Sequence, residues 1–216
     1  MSENTTMTER EEFISIFRDN IHRDGAEDLL NWLETSDFFD APASTKYHLS
    51  EPGGLCRHTL HVYKRLKQLT ERMMPEQAEP AYTGESIAIV ALLHDICKVN
   101  FYEQSWKNQK TYNKDRVAAA DPWKIKRDNA GDFIWESVPC YTVNEKLILG
   151  HGEKSAMIAM YFMKLSMTEA QAIRYHMGPW NEGEAKDAGN CFEQNTLAFL
   201  LHTADEFATF IDEVTT

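Results

Sequence analysis

The sequence is short of several things, and each shortage narrows what the protein can be. Its four cysteines, Cys56, Cys97, Cys140 and Cys191, lie far apart and form no CxxC pair. That spacing excludes a zinc knuckle or a dithiol redox motif and fits reduced thiols in a cytoplasm. No stretch approaches the ~18 uninterrupted apolar residues that a membrane span needs, and the opening MSENTTMTEREE is polar and acidic, so neither an anchor nor a signal peptide is expected. Positive charge is also scarce: 22 Lys and Arg face 34 Asp and Glu, a formal charge of −12. Wrapping a long duplex depends on cations that neutralise phosphates, so this balance argues against it and favours a small substrate. Net charge is weak evidence alone, because a local basic pocket can sit in an acidic protein. There is no internal repeat, low-complexity tract or linker, and 216 residues fit one domain with one core.

What is present is mostly helical patterning. Thr8-Glu9-Arg10-Glu11 reads as a capping box opening a helix to about Ile21, and a second helix runs from Ala26 to Glu34. Both belong to an N-terminal segment, 1–52, expected to pack on the core. Pro42, Ser44, Pro52, Gly53 and Gly54 mark a loop from Asp40 to Gly54. Leu55 to Met73 returns to helical spacing, with Leu55, Thr59, Val62, Leu66 and Leu69 as its apolar stripe. Glu85 to Lys98 is so apolar that it belongs in the middle of a bundle. From Asn100 to Asn144 aromatic, β-branched and charged residues alternate instead. There Trp123–Lys126 and Phe133–Val138 flank the turn Asp128-Asn129-Ala130-Gly131-Asp132, which predicts an insertion built on a β-hairpin. Helical spacing resumes over Glu153–Leu165, over Thr168–His176 with Thr168 as N-cap, and over Glu193–Val214. The expected fold is therefore all-α: a single-domain helical bundle, 1–216, with a small hairpin insertion at 100–144.

The sharpest local feature is Leu92-Leu93-His94-Asp95-Ile96-Cys97-Lys98. An imidazole, a carboxylate and an ammonium follow an apolar run, and burying them is costly unless they are paired or hold a metal. Helical spacing would put His94 and Lys98 on one face, one turn apart, with the cation placed to hold an anionic substrate. Taken alone the pair is a modest signal, since a buried histidine bonded to an aspartate is also a common structural device.

Four further strings enlarge that signal: Gly-Gly-Leu-Cys-Arg-His58-Thr before it, and Gly150-His151-Gly-Glu-Lys-Ser, Ile-Arg-Tyr-His176-Met-Gly and Leu-His-Thr-Ala-Asp205 after it. In this order, over roughly Gly53 to Phe210, the set resembles the HD superfamily of metal-dependent phosphohydrolases, here in its dinuclear form. Cys97 stands where the family often has glycine before lysine, and it reads as a small packing residue. The resemblance implies an HD-domain bundle with His58, His94, Asp95 and Asp205 on one ion and Asp95, His151 and His176 on a second, Asp95 bridging and taking a catalytic role beside Lys98. Such a mixed nitrogen and oxygen set suits iron, manganese, nickel, cobalt or zinc as two divalent ions, which could clamp a phosphate and activate a water. His61 and His202 fall near the set as outer hydrogen-bonders, whereas His22 and His48 read as surface or loop residues.

Arg57, Lys98, Lys114, Arg116, Lys154 and Arg174 are candidates for substrate phosphate contacts, with solvated surface charge as the plain alternative for several. Trp106, Tyr112, Trp123 and Trp180 could stack on a base or simply pack. Three functions stay open. The first is hydrolysis of a phosphate ester, of a nucleotide or short oligonucleotide, by a metal-activated water. The second is an HD-type mixed-valent diiron oxygenase similar to myo-inositol oxygenase, which shares the same six ligands. The third is a non-enzymatic binding module on the same fold.

Overall fold

The computed structural model describes residues 7–73, 82–180 and 185–214. Helix α1 (Glu9–Asn20) starts at the capping box read above: the Thr8 side chain accepts from the Glu11 N–H while Glu11 accepts from Thr8. It buries Phe13 and Phe17, and Phe13 meets Phe38 and Phe39 with ring centroids 4.9 and 5.5 Å apart. Helix α2 (Ala26–Thr35) begins after Gly25, whose φ of 86° and close approach to Phe162 leave no room for a Cβ. Helix α3 (Gly54–Met73) buries Leu55, Thr59, Val62 and Leu66 of the stripe its spacing predicts, and Leu69 at its end is partly buried. Helix α4 (Gly84–Leu93) is capped by Thr83 and buried without a break from Ile87 to Leu93, so it has no solvent face and must lie inside the bundle.

The all-α expectation does not hold. The chain is 58% helical, but residues from Tyr102 onward build a three-stranded antiparallel sheet in place of one small hairpin. Strand β1 (Tyr102–Thr111) pairs along its whole length with β3 (Gly131–Val143), from Tyr102 opposite Val143 to Thr111 opposite Ile134. The short helix α5 (Lys114–Ala119) and strand β2 (Lys126–Asp128) lie between them in sequence, and β2 pairs with the other edge of β3. The turn at Asp128–Gly131 is the one expected. The hairpin it makes is only the margin of the sheet, because β1 supplies a longer partner than the turn-flanking residues do.

Helices α6 (His151–Phe162), α7 (Met167–Arg174), α8 (Ala185–Gln194) and α9 (Thr196–Phe207) complete the helical part. Of the boundaries that differ from their sequence spacing, two have a capping residue as their cause. The N-cap of α7 is Ser166 and not Thr168, because Ser166 has Glu169 three residues on to return its bond and close a capping box. The helix expected from Glu193 to Val214 is broken at Asn195. Its extended backbone frees the side chain to accept from the Ala198 N–H and to donate to the Thr168 carbonyl, which ends α8 and caps α9. A wider π-type turn, Ala208–Asp212, follows α9.

The chain divides into two compact units, Met1–Phe101 with Glu145–Thr216, and Tyr102–Asn144. In the first, α3 packs on α4 and α9, and α7 on α6 and α9. No helix among the described residues is long and apolar enough to cross a membrane.

Candidate metal centre

Helices α3, α4, α6, α7 and α9 of the helical unit bring side chains on them or at their ends to a common point. Helix α3 carries His58 one turn past Gly54, and α9 carries Asp205. Helix α4 ends at Leu93, so His94 sits at its C-terminal cap. Asp95 follows with φ −112° and ψ 14°, and a 3₁₀ turn takes over with Lys98 N–H donating to the Asp95 carbonyl. The expected α-helical alignment of His94 with Lys98 is therefore replaced. The tighter turn sets Lys98 against Asp95, its Nζ 2.6 Å from Oδ2. His151 opens α6, and Gly152 beside it packs so closely on the end of α7 that a Cβ there would lie 2.2 Å from the Arg174 carbonyl oxygen. That contact draws His151 toward His176, which lies just past α7; the two ring centroids are 5.3 Å apart.

The six residues meet through their inner atoms. His58 Nε2 lies 3.1 Å from Asp205 Oδ1, 3.3 Å from His94 Nε2 and 3.7 Å from Asp95 Oδ2. His94 Nε2 lies 3.6 Å from the same Asp95 oxygen. The other oxygen of Asp95, Oδ1, faces His151 Nε2 at 2.6 Å and His176 Nε2 at 3.5 Å. Asp95 thus turns one oxygen to the pair His58 and His94 and the other to the pair His151 and His176. Ligands at right angles on one ion with bonds of ~2.1 Å stand about 3 Å apart, so most of these separations are close to those of a coordination shell.

Hydrogen bonds fix which nitrogen faces inward. His94 Nδ1–H donates to the Ala91 carbonyl at 2.8 Å, and His176 Nδ1–H to the Ile173 carbonyl at 2.7 Å. Their Nε2 lone pairs are left pointing into the cluster, the tautomer a metal requires. His176 Nε2 is buried with no hydrogen-bond partner among the described residues, a costly state for a polar atom unless something binds it. Burial holds His94 near pKa 4 against the pull of Asp95, and it also lowers His151, so both rings are neutral at pH 7. Burial opposes ionisation of Asp95 and Asp205, but Lys98 and the surrounding histidines at Asp95, and His58 at Asp205, keep both well below the usual carboxylate range. His58 is the exception among the rings: burial disfavours its charge, yet Asp205 and Glu213 lift it to about 10.

Two neighbours escape sequence reading. Glu213, buried beyond the last turn, accepts from His58 Nδ1 at 3.1 Å and from His61 Nδ1 at 2.9 Å. It orients His58 as a carboxylate orients a metal-bound imidazole. His48, read from the sequence as a surface or loop residue, does lie in a loop but is largely buried, with its ring centroid 4.9 Å from that of His58, and burial holds its pKa down to about 4. His202 donates Nδ1–H to the His176 carbonyl at 2.7 Å, which supports the turn under His176. Cys97 does more than fill space: its Sγ lies 3.4 Å from His151 Nδ1, and burial pushes the thiol up to about 12, so it remains a neutral S–H.

Four of the remaining candidate cations have partners of their own. Arg57 bonds Glu9 and Glu51, Lys154 is buried and bonds Glu145, Arg174 lies over the Tyr175 ring, and Arg116 in the sheet unit bonds Glu136. Three of the four aromatics named for stacking, Trp106, Trp123 and Trp180, are well exposed and Tyr112 is marginally so.

Donor atoms from His58, His94 and Asp95, from His94, His176 and Asp205, and from Asp95, Cys97 and His151 each lie within 4.8 Å of one another. This is a buried His/Asp/Cys cluster able to hold metal. Comparisons with protein-family models, curated proteins and solved structures give no match for the chain. The cluster itself predicts that Glu213→Gln, which weakens the support behind His58, lowers metal affinity about 10- to 100-fold, as measured by competition with a chromogenic chelator. Unchanged affinity would show that Glu213 braces the fold only.

Proposed function

We propose that the chain is a metal-dependent phosphohydrolase of the HD type, acting in the cytoplasm on a small phosphate ester such as a nucleotide or short oligonucleotide. The observation that carries this reading is the split of the Asp95 carboxylate between two histidine pairs, which suits a bridging ligand between two divalent ions. Two ions held there would supply Lewis-acid charge for the phosphoryl oxygens and would lower the pKa of an attacking water. The protein's own share is orientation and charge: Nδ1–H bonds aim the imidazoles, and Lys98 offers a cation next to Asp95 for an anionic group. A nitrogen and oxygen donor set fits iron, manganese, cobalt, nickel or zinc.

The same donors serve iron in an oxygenase, so the deciding experiment runs both assays. Manganese-loaded protein is expected to release phosphate or a nucleoside monophosphate from a panel of nucleotides, cyclic nucleotides and short oligonucleotides, and to stop when metal is chelated. Oxygen uptake by the reduced, iron-loaded protein with no hydrolysis in any of these would overturn the proposal in favour of oxygen chemistry. Protein that purifies without metal, with His94→Ala indistinguishable from the parent, would leave a binding module instead.

A further inference from the structure

His48 is a polar side chain beside the cluster that the six-residue donor set leaves unused. Its side chain is 16% exposed, and neither Nδ1 nor Nε2 finds a hydrogen-bond partner among the described residues; the nearest carboxylate, that of Glu213, is 3.9 Å from Nε2. An imidazole always carries at least one N–H, so a buried donor is left unmade here, and such groups in native proteins call for a reason.

The loop around His48 is held in that place at a cost. Leu49, the next residue, has φ 43°, a left-handed conformation that a branched side chain rarely adopts. Ser44 accepts from the Tyr47 N–H and donates to the His48 carbonyl, and the Ala43 N–H donates to the Leu49 carbonyl. A Cβ on Gly54 would lie 2.2 Å from that same Leu49 carbonyl, so the loop is pressed onto the first residue of α3 and holds the His48 ring against that of His58, the two planes tilted by 39°. Backbone strain of this sort persists where the surroundings over-determine a functional position. From that position His48 adjoins His58, whose Nε2 faces Asp95 and Asp205.

We infer that His48 is a substrate-contacting residue, its N–H donating to an oxygen of the phosphate that the Asp95 cluster and Lys98 hold. The inference deepens the hydrolase reading and rests on it. The alternative built from the same atoms is that His48 joins His58 and Glu213 as a metal ligand, since their donor atoms also lie within 4.8 Å of one another.

The test uses zinc-loaded full-length protein and inorganic phosphate as the probe, with binding followed by calorimetry and zinc by elemental analysis. His48→Ala is expected to keep its zinc and to bind phosphate about 10-fold or more weaker, the loss of one hydrogen bond to a charged oxygen. In the parent the ¹⁵N signal of the His48 ring should move when phosphate is added. His48→Gln keeps an N–H donor at similar reach and should recover part of the affinity; with the ¹⁵N shift it carries the test if the alanine variant fails to fold. Equal phosphate affinity in zinc-loaded parent and variants would overturn the assignment alone, as would loss of zinc in step with loss of phosphate binding. A parent that holds no zinc, or holds zinc and takes no phosphate, overturns the hydrolase reading and this assignment together.

Discussion

Asp95→Asn is expected to strip the protein of metal and of every activity that depends on it. Among the described residues, Asp95 is the one whose two oxygens face both histidine pairs, and an asparagine can present only one oxygen to them. Its amide N–H₂ would point donors at imidazole nitrogens that must themselves donate lone pairs to an ion. The substitution also removes the anion that balances Lys98, 2.6 Å away, leaving a cation beside the site. Losing an outer hydrogen-bond partner costs about 10- to 100-fold in metal affinity, so loss of a shared ligand should exceed about 100-fold. Elemental analysis after gel filtration, with circular dichroism to confirm folding, checks this directly. A folded Asp95→Asn protein with the parent's metal content would end the metal-centre reading.

The second large effect is on stability, away from the cluster. Glu169, on α7 and 1% exposed, accepts from both terminal nitrogens of Arg23 at 2.7 Å, from Ser86 Oγ at 2.7 Å and from the Ser166 N–H at 2.8 Å. Arg23 also donates to the Lys164 carbonyl and pairs with Glu85, so this network ties the turn before α2 to the starts of α4 and α7. Removing one partner of a buried pair leaves an uncompensated charge, at a cost of 3–5 kcal/mol in typical cases. Because Arg23 retains Glu85, Glu169→Gln should lie near the lower end, about 3 kcal/mol, read from urea denaturation at pH 7.

Burial works against the charge on Glu169, but the bonds from Arg23, Ser86 and Ser166 bring its folded pKa down to about 2, against an ordinary value of 4.5. A carboxylate lowered in this way stabilises the fold in full above about 4.5 and loses that contribution as pH falls toward 2. Asp95, Asp205 and Glu213 titrate in the same direction, so the informative quantity is the gap between parent and variant. The gap should be widest near neutrality and should close between pH 4.5 and 2. A gap that stays constant over that range would mean that the pair contributes no charge-dependent stability.

The candidate site was far more legible than its surroundings. His94 and Asp95 stand out by their own pattern, an imidazole and a carboxylate closing an apolar stretch where burial calls for a partner, whereas His58, His151, His176 and Asp205 are legible through the order of short strings that resembles the HD superfamily. Nothing local marks Glu213, one acid among 34 Asp and Glu, whose meaning depends on a histidine 155 positions away. His48 sits among turn residues with no periodicity to give it a face. The sheet was misread for a related reason. Glu103 to Lys110, most of β1, is polar on both faces apart from Trp106, so it lacks the alternation that reveals a half-buried strand, and only its pairing with β3 defines it. The turn at Asp128–Gly131, by contrast, carries its own chemistry and was visible. The break at His94 was hidden by the unbroken apolar run before it, since hydrophobicity does not distinguish an α-helical turn from a 3₁₀ one.

The position of Glu213 bears on how the helical unit assembles. Its bonds to α3 close a loop spanning most of the chain, and the entropy of closing a loop rises with its length, though only logarithmically. Contacts so distant in sequence form once shorter-range packing, such as α6 on α7, has brought the ends near. The turn carrying Glu213 is therefore expected to dock late in folding, which Glu213→Gln would show by speeding unfolding while leaving the folding rate nearly unchanged. Interactions absent from the folding transition state act on the rate of unfolding, so an ion bound at this cluster would lengthen the lifetime of the folded chain while leaving the speed of its formation nearly unchanged.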